Sequence, residues 1–330
     1  MIGLIIGIIL GVVLLLFFVS IIVLEVSYHK TLYKRADGDL RIKYVYSYDD
    51  VIREKISFKN KSNASLNGYI YKDQNNNNPK ALILIVHGIG YGHYYLMPMI
   101  RFLVKNGFYV LAYDQYGSGL SEGKYITSTV RGISDIECAF KFIKENDSIN
   151  KLPLYLFGHS WGGFVVINSL NIKDNNVKKI ISVAGFNNDN DLSISFSKAA
   201  KMLSWAIYLR NFVRFGKLAF YSSKKSLLKN KSAKVLYLQG EEDNIVPVSM
   251  SGSIFKEIES KNNLLRVEMI PAKGHAPYVT ISAQNAQNEV MKELGLFGGA
   301  LSNYNNNIDY EKLSELDPKV LQIVLDFYNE

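Results

Sequence analysis

Short strand-like runs separated by amphipathic helical stretches set the architecture of this 330-residue chain. Residues 81–86 are apolar without interruption, which suits a strand buried on both faces. Further strand-like runs lie at 108–113, 154–157, 177–183, 235–238 and 264–270. Between them, Leu96, Met99, Ile100, Leu103 and Val104 recur at helical spacing, as do Ile133, Ile136, Phe140 and Ile143. Residues 160–170 also read as a helix, and so does the stretch carrying Met250, Ile254, Phe255 and Ile258. Such alternation requires right-handed crossovers and a mostly parallel sheet with helices on both faces, an α/β fold. Residues 52–59 and 66–72 add an opening antiparallel pair. The rhythm breaks once, between Ala184 and Lys234, where residues 199–221 are helical, apolar and basic; this is an insertion over the sheet edge. A Gly- and Asn-rich loop at 295–309 and an amphipathic helix at 319–328 close the chain.

Residues 2–24 carry no charge. As a helix they extend about 35 Å, enough to cross a bilayer core with some tilt. A cleaved signal peptide would need a basic start, a shorter apolar core and a small-residue cleavage site, and none is present. We therefore expect a transmembrane anchor at residues 1–25, a linker at 26–50 and one domain at 51–330. Cationic residues follow the span (His29, Lys30, Lys34, Arg35, Arg41, Lys43), so the positive-inside rule points to a single-pass protein with a cytoplasmic domain. Gly3, Gly7 and Gly11 recur every four residues along one face, a pattern that permits close helix pairing and hence a homodimer, although glycine is common in membrane helices.

The net charge of +8 favours anionic partners, and the membrane surface is the better match. No zinc motif or aromatic RNA-binding signature accompanies the cations, so nucleic acid is not expected. One cysteine, Cys138, excludes an intrachain disulfide framework and any multi-cysteine zinc site; it reads as a packed thiol. Gly117-Ser118-Gly119 is no dinucleotide fingerprint, and neither cofactor nor metal is implied.

Gly158-His159-Ser160-Trp161-Gly162 carries the chemistry. It follows a strand and precedes a helix, a turn tight enough to need glycines on both sides of the serine. A serine hydroxyl needs a base, and the base an orienting acid, in the chain order serine, acid, histidine. Only His275 follows Ser160. Among later acids, Asp243 stands just past a buried strand; Glu241 and Glu242 compete, while Asp174, Asp189 and Asp191 read as solvated loop charges. The backbone N–H groups of Trp161 and Ile89 are the expected oxyanion donors. His87 and the 114–121 loop are assigned scaffolding roles.

Together, His87-Gly88, residues 114–121, Gly158 through Gly162, Gly240 with Asp243, and Gly274-His275 resemble the α/β-hydrolase superfamily, in its monoacylglycerol lipase-like and prolyl-aminopeptidase-like branch. The resemblance covers about residues 52–294. It implies an eight-stranded-type sheet, a Ser160–Asp243–His275 triad, an oxyanion hole at Ile89 and Trp161, and a helical cap at about 186–232. The anchor and the longer tail depart from compact members.

The leading expectation is a membrane-anchored serine hydrolase of acyl or lipid-type esters, its partners being that substrate and membrane lipid. A peptidase with the same triad would need a carboxylate pocket for a free amine, for which the Asp189/Asp191 pair is the visible candidate. A non-enzymatic membrane interaction module would not need an intact triad.

Overall fold

A computed structural model describes residues 2–30, 34–35, 48–90, 92–196, 201, 204–294 and 309–330. Helix α1 (Ile2–Lys30) is followed by β1 (Val51–Lys59), β2 (Ser65–Asp73), β3 (Leu82–Val86), α2 (Met97–Lys105), β4 (Tyr109–Tyr113), α3 (Arg131–Glu145) and β5 (Leu154–His159). Then come α4 (Trp161–Asn168), β6 (Val177–Val183), α5 (Asp189–Phe196), α6 (Ser204–Phe215), α7 (Ser223–Lys229) and β7 (Lys234–Gly240). The chain ends with α8 (Gly252–Glu259), β8 (Leu265–Ile270), α9 (Ile281–Leu294), α10 (Tyr310–Leu313) and α11 (Pro318–Asn329).

The eight strands form one sheet in the order β1-β2-β4-β3-β5-β6-β7-β8. The β1–β2 and β2–β4 pairs are antiparallel and the rest parallel. Continuous apolar composition tracks burial: all five residues of β3 are inaccessible, because α3 and α4 cover one face and α2 and α11 the other. Every strand read from the sequence is present, with ends within two residues of expectation.

The tail belongs to this core. Val320, Val324, Phe327 and Tyr328 of α11 are buried, and the Tyr328 hydroxyl donates to the carbonyl of Leu156 in β5 at 2.7 Å. The expected loop at 295–309 lies, except for its last residue, outside the described residues, as does most of the 26–50 linker. Where the linker is described, Arg35 donates to the carbonyls of Gly119, Ser121 and Gly123, closing one side of the 114–123 loop. Cys138 sits half-buried on α3, and burial raises its thiol pKa.

Helix α1 is long and apolar enough between Ile2 and Val23 to cross a membrane. A β-carbon at Gly3, Gly7 or Gly11 would meet nothing within 4 Å, so no described element covers that face. The insertion forms α5, α6 and α7. Helix α6 buries Ala206, Ile207, Arg210 and Asn211 against the body and exposes Trp205, Phe212 and Val213.

The 114–121 loop is organised by a charge. The Asp114 carboxylate is inaccessible and accepts hydrogen bonds from His93 N at 2.7 Å, His93 Nδ1 at 2.8 Å and Leu120 N at 2.7 Å. Gly119 has φ +48°, and a β-carbon there would meet Asp114 Oδ2 at 2.3 Å, which leaves only glycine. Burial pushes the Asp114 pKa up, but His93, then His87 and the Leu120 amide, outweigh it and hold it at about 2, below the ordinary 3.8. A depressed carboxyl stabilises the fold at pH values above its unfolded pKa and loses that contribution as pH falls through the folded one. Asp114→Asn should therefore cost about 2 kcal/mol at neutral pH, by conversion of the shift. The gap to wild type should close between about pH 4 and pH 2, followed by denaturant titration in detergent. A gap that stays constant across that window would mean Asp114 acts through packing alone.

Candidate active site

Ser160 sits between β5 and α4 with φ 56° and ψ −114°, a strained conformation for a residue with a side chain. The flanking glycines make the turn possible. A β-carbon at Gly158 would strike the Gly162 carbonyl oxygen at 2.3 Å, and one at Gly162 would strike the Val86 carbonyl oxygen at 1.9 Å. A β-carbon at Gly163 would come within 2.8 Å of Gly185 Cα. Ser160 N donates to Val183 O at 2.8 Å, which ties the turn to β6. The serine is partly exposed, whereas Trp161 behind it is fully buried, its indole N–H donated to Thr129 O at 2.7 Å.

Trp161 opens α4, so its backbone N–H has no acceptor within that helix. Ile89 follows Gly88, where a β-carbon would come within 3.3 Å of Ser160 Cβ, so the loop after β3 runs beside the serine. His87 sets this loop: Gln115 N donates to its Nε2 at 2.9 Å, which leaves Nδ1 to donate to Gly88 O at 2.7 Å. Burial, only partly opposed by Asp114, lowers the His87 pKa. Both ring nitrogens of His87 are thus engaged within the protein.

His275 stands beyond the end of β8, and its Nδ1 donates to both Asp243 oxygens at 2.9 and 3.1 Å. Asp243 Oδ1 also accepts from Ile245 N and Val246 N, each at 2.9 Å. Burial raises the Asp243 pKa, but His275 and the two amides prevail and leave it below the ordinary carboxylate value. Glu241 and Glu242 are exposed, and Asp243 is the carboxylate that pairs with His275. A β-carbon at Gly240 would meet the Lys273 and Gly274 carbonyl oxygens at 2.1 and 2.2 Å, so only glycine lets the acid and histidine loops pack this closely.

Two positioning residues escaped the sequence reading. His159 Nε2 donates to the His275 carbonyl at 3.0 Å, and the two rings lie 4.9 Å apart. Enclosure, then the neighbouring His275, lowers the His159 pKa to about 3, so it is a neutral clamp between the elbow and the base. Gln284 of α9 accepts from Gly274 N at 2.7 Å and donates to Ala276 O at 2.9 Å, bracketing the histidine. The chain between Gly158 and Gly162 gave the only hint of the first, and Gln284 gave none. Among the described residues no hydrogen bond joins Ser160 Oγ to the His275 ring; such contacts commonly close only around substrate.

One expectation is corrected. Asp189 is not a solvated loop charge: it is buried, accepting from Thr129 Oγ1 and from Asn211 Nδ2 at 2.7 Å, which joins the start of the cap to α6 and to the loop before α3. Asp191 Oδ2 accepts from Asn187 and Asn188 at 3.0 and 2.6 Å. Among the described residues no group of three or more His, Cys, Asp or Glu side chains is placed to hold a metal.

A family model described as serine aminopeptidase, S33, matches residues 77–226. The uncharacterized protein YfhR of Escherichia coli K12 is 20% identical over 229 residues, covering 68% of this chain and 74% of that protein. Human monoglyceride lipase is 34% identical over 94 residues (27% and 29% of the two chains), and a Chitinophaga pinensis proline iminopeptidase 33% over 112 residues (32% and 35%). The match thus spans about a third of those two enzymes. Among solved structures, the Pyrococcus furiosus esterase Pf2001 superposes with TM-score 0.58 at 19% identity, covering 81% of this chain and 96% of the esterase. Est1E from Butyrivibrio proteoclasticus gives 0.54 at 20%, covering 72% and 98%. The shared sheet and the family match over the segment that bears the elbow agree in giving the chain the α/β-hydrolase fold.

Proposed function

We propose that this protein is a membrane-anchored serine hydrolase that cleaves acyl or lipid-type carboxylic esters through an acyl-enzyme. The observation that carries the reading is the Asp243–His275 pair clamped by His159 to the strained elbow that presents Ser160. With Nδ1 committed to Asp243, His275 keeps Nε2 for the serine proton. Ser160 Oγ then attacks the ester carbonyl, and the Trp161 and Ile89 N–H groups receive the developing oxyanion. His275 returns the proton to the leaving alcohol, then activates a water that releases the acid; Asp243 holds the ring and its charge throughout.

A peptidase uses the same steps but needs a carboxylate for the substrate amine. The engagement of Asp189 and Asp191 within the cap argues against that alternative, as the strain kept at Ser160 argues against a non-catalytic module. The apolar α1 supports the anchor, the cations after it a cytoplasmic domain, and the uncovered Gly3, Gly7 and Gly11 face self-association within the bilayer.

Fluorophosphonate labelling tests the nucleophile. Ser160→Ala should abolish it and His275→Ala nearly so, with little further loss on combining them; undiminished labelling of Ser160→Ala overturns the assignment. Asp243→Asn should lower kcat by roughly 10²–10⁴. For His159→Ala we expect about a tenfold fall in kcat with KM unchanged, the value of one hydrogen bond, and recovery in His159→Gln, which restores a donor. Failure of glutamine to recover the rate would reduce His159 to packing.

A p-nitrophenyl ester series tests the substrate class. Each buried methylene contributes ~0.8 kcal/mol, so two added carbons should raise kcat/KM roughly tenfold until the pocket fills. Steady decline from acetate upward, with efficient cleavage of an aminoacyl amide, would favour the peptidase.

A further inference from the structure

Apart from its contact with α1, the outward face of the cap has no protein covering it among the described residues. Trp205, Phe212, Val213 and Phe220 are 45%, 49%, 76% and 50% exposed. At 3.6 residues per turn, Trp205, Leu209, Phe212 and Val213 fall on one side of α6, opposite the buried Ala206, Ile207, Arg210 and Asn211. Phe220 stacks on Tyr208 and contacts Phe212, extending the patch. Lys224 and Lys225 stand beside Phe220, and Arg214 and Lys217 are exposed at and just past the C-terminal end of α6.

This face runs alongside α1. Phe17 stacks on Trp205 with ring centroids 5.0 Å apart and planes at 23°. Eight residues further on, Glu25 pairs with both Arg210 and Arg214. Arg210 is buried and also donates to Thr127 O at 2.7 Å, so the end of α1 is fastened to the cap and, through it, to the body. Among the described residues the half-buried positions of α1 are Phe17, Ser20, Ile21 and Glu25, on the side turned to the cap. Phe17 lies six residues inside the end of the Ile2–Val23 span, about 9 Å along the helix axis. A side chain stacked on it shares its depth.

We propose that the outer face of α6 is immersed in the same bilayer leaflet that α1 enters, with Trp205 below the headgroups and Arg214 and Lys217 among them. The partner is a lipid bilayer with an anionic surface. Continuity with the span fixes this choice: no soluble partner could cover Trp205 without displacing the lipid around Phe17. An aromatic ring below a row of cations is the usual order of groups at a bilayer interface. The proposal rests on the reading of α1 as a membrane anchor and is independent of the chemistry at Ser160. It brings the cap to the place where an acyl ester would be dissolved.

The chain has two tryptophans, and Trp161 is fully buried, which makes fluorescence the direct test. Full-length protein in vesicles of phosphatidylcholine and phosphatidylglycerol, brominated midway along the acyl chains, should lose the part of its emission that Trp205→Phe removes. The remaining Trp161 emission should be unaffected by bromine, and aqueous iodide should quench neither ring. Ser160→Ala should behave as wild type, so loss of the hydrolase reading would leave this result standing. Trp205 emission quenched by iodide and untouched by bromolipid overturns the proposal. So does release of the full-length protein by carbonate washing, which would remove the anchor on which the depth argument rests.

Discussion

Everything at the site depends on holding one residue in a backbone conformation that it would not adopt alone. Ser160 at φ 56° is kept there by close backbone contacts that only glycine allows: Gly162 under the Val86 carbonyl, Gly158 against Gly162, Gly163 against Gly185. Such strain costs on the order of 1–3 kcal/mol and survives only where the surroundings over-determine it. Here they do, because β3, β5 and β6 run parallel and buried, so their carboxyl ends meet at one place. The loop carrying Gly88 and Ile89 leaves β3 beside the serine, and the Ser160 amide bonds to the last residue of β6. Sheet order thus becomes site geometry.

The same logic explains what the sequence made legible. A parallel strand buried on both faces must be apolar throughout, so β3 announced itself, and an elbow must be flanked by glycine, so Ser160 did too. Asp243 was picked out because it stands just past a buried strand, and His275 because no other histidine follows Ser160. Contacts made by backbone atoms were not legible. His159 was visible as part of the motif, yet its bond goes to a carbonyl 116 positions away, and any residue at 275 has a carbonyl. Gln284 brackets the histidine loop through a helix whose pattern marks no function. Asp189 looked solvated because its neighbours in sequence are Asn and Asp; its true partners, Thr129 and Asn211, come from other elements.

The termini taught a related lesson. The closing amphipathic helix supplies Tyr328 to the core, and the helix read as a membrane anchor forms an ion pair with the cap. Amphipathicity said that α11 has a face to bury, but not against what. For α6 the pattern was more ambiguous, since apolar residues on two stripes suit a cap packed on both sides. One stripe is packed and the other is open, and only the stacking of Phe17 on Trp205 gives the open stripe a depth.

The molecule also holds a second Asp–His pair, and the two differ in their surroundings. His93 and Asp114 lie 2.8 Å apart, as close as His275 and Asp243 at 2.9 Å. Yet the His93 side chain is 1% exposed and its other nitrogen is held by the Tyr71 hydroxyl at 2.8 Å, so no proton can pass from it to a substrate. The His275 side chain is 15% exposed, and among the described residues its Nε2 makes no hydrogen bond. Both carboxylates are sheltered and held ionised by neighbouring donors. Pairing alone therefore does not make a base. The difference is the partly exposed imidazole whose Nε2 is not engaged among the described residues, on a loop that Gly240, His159 and Gln284 hold in place.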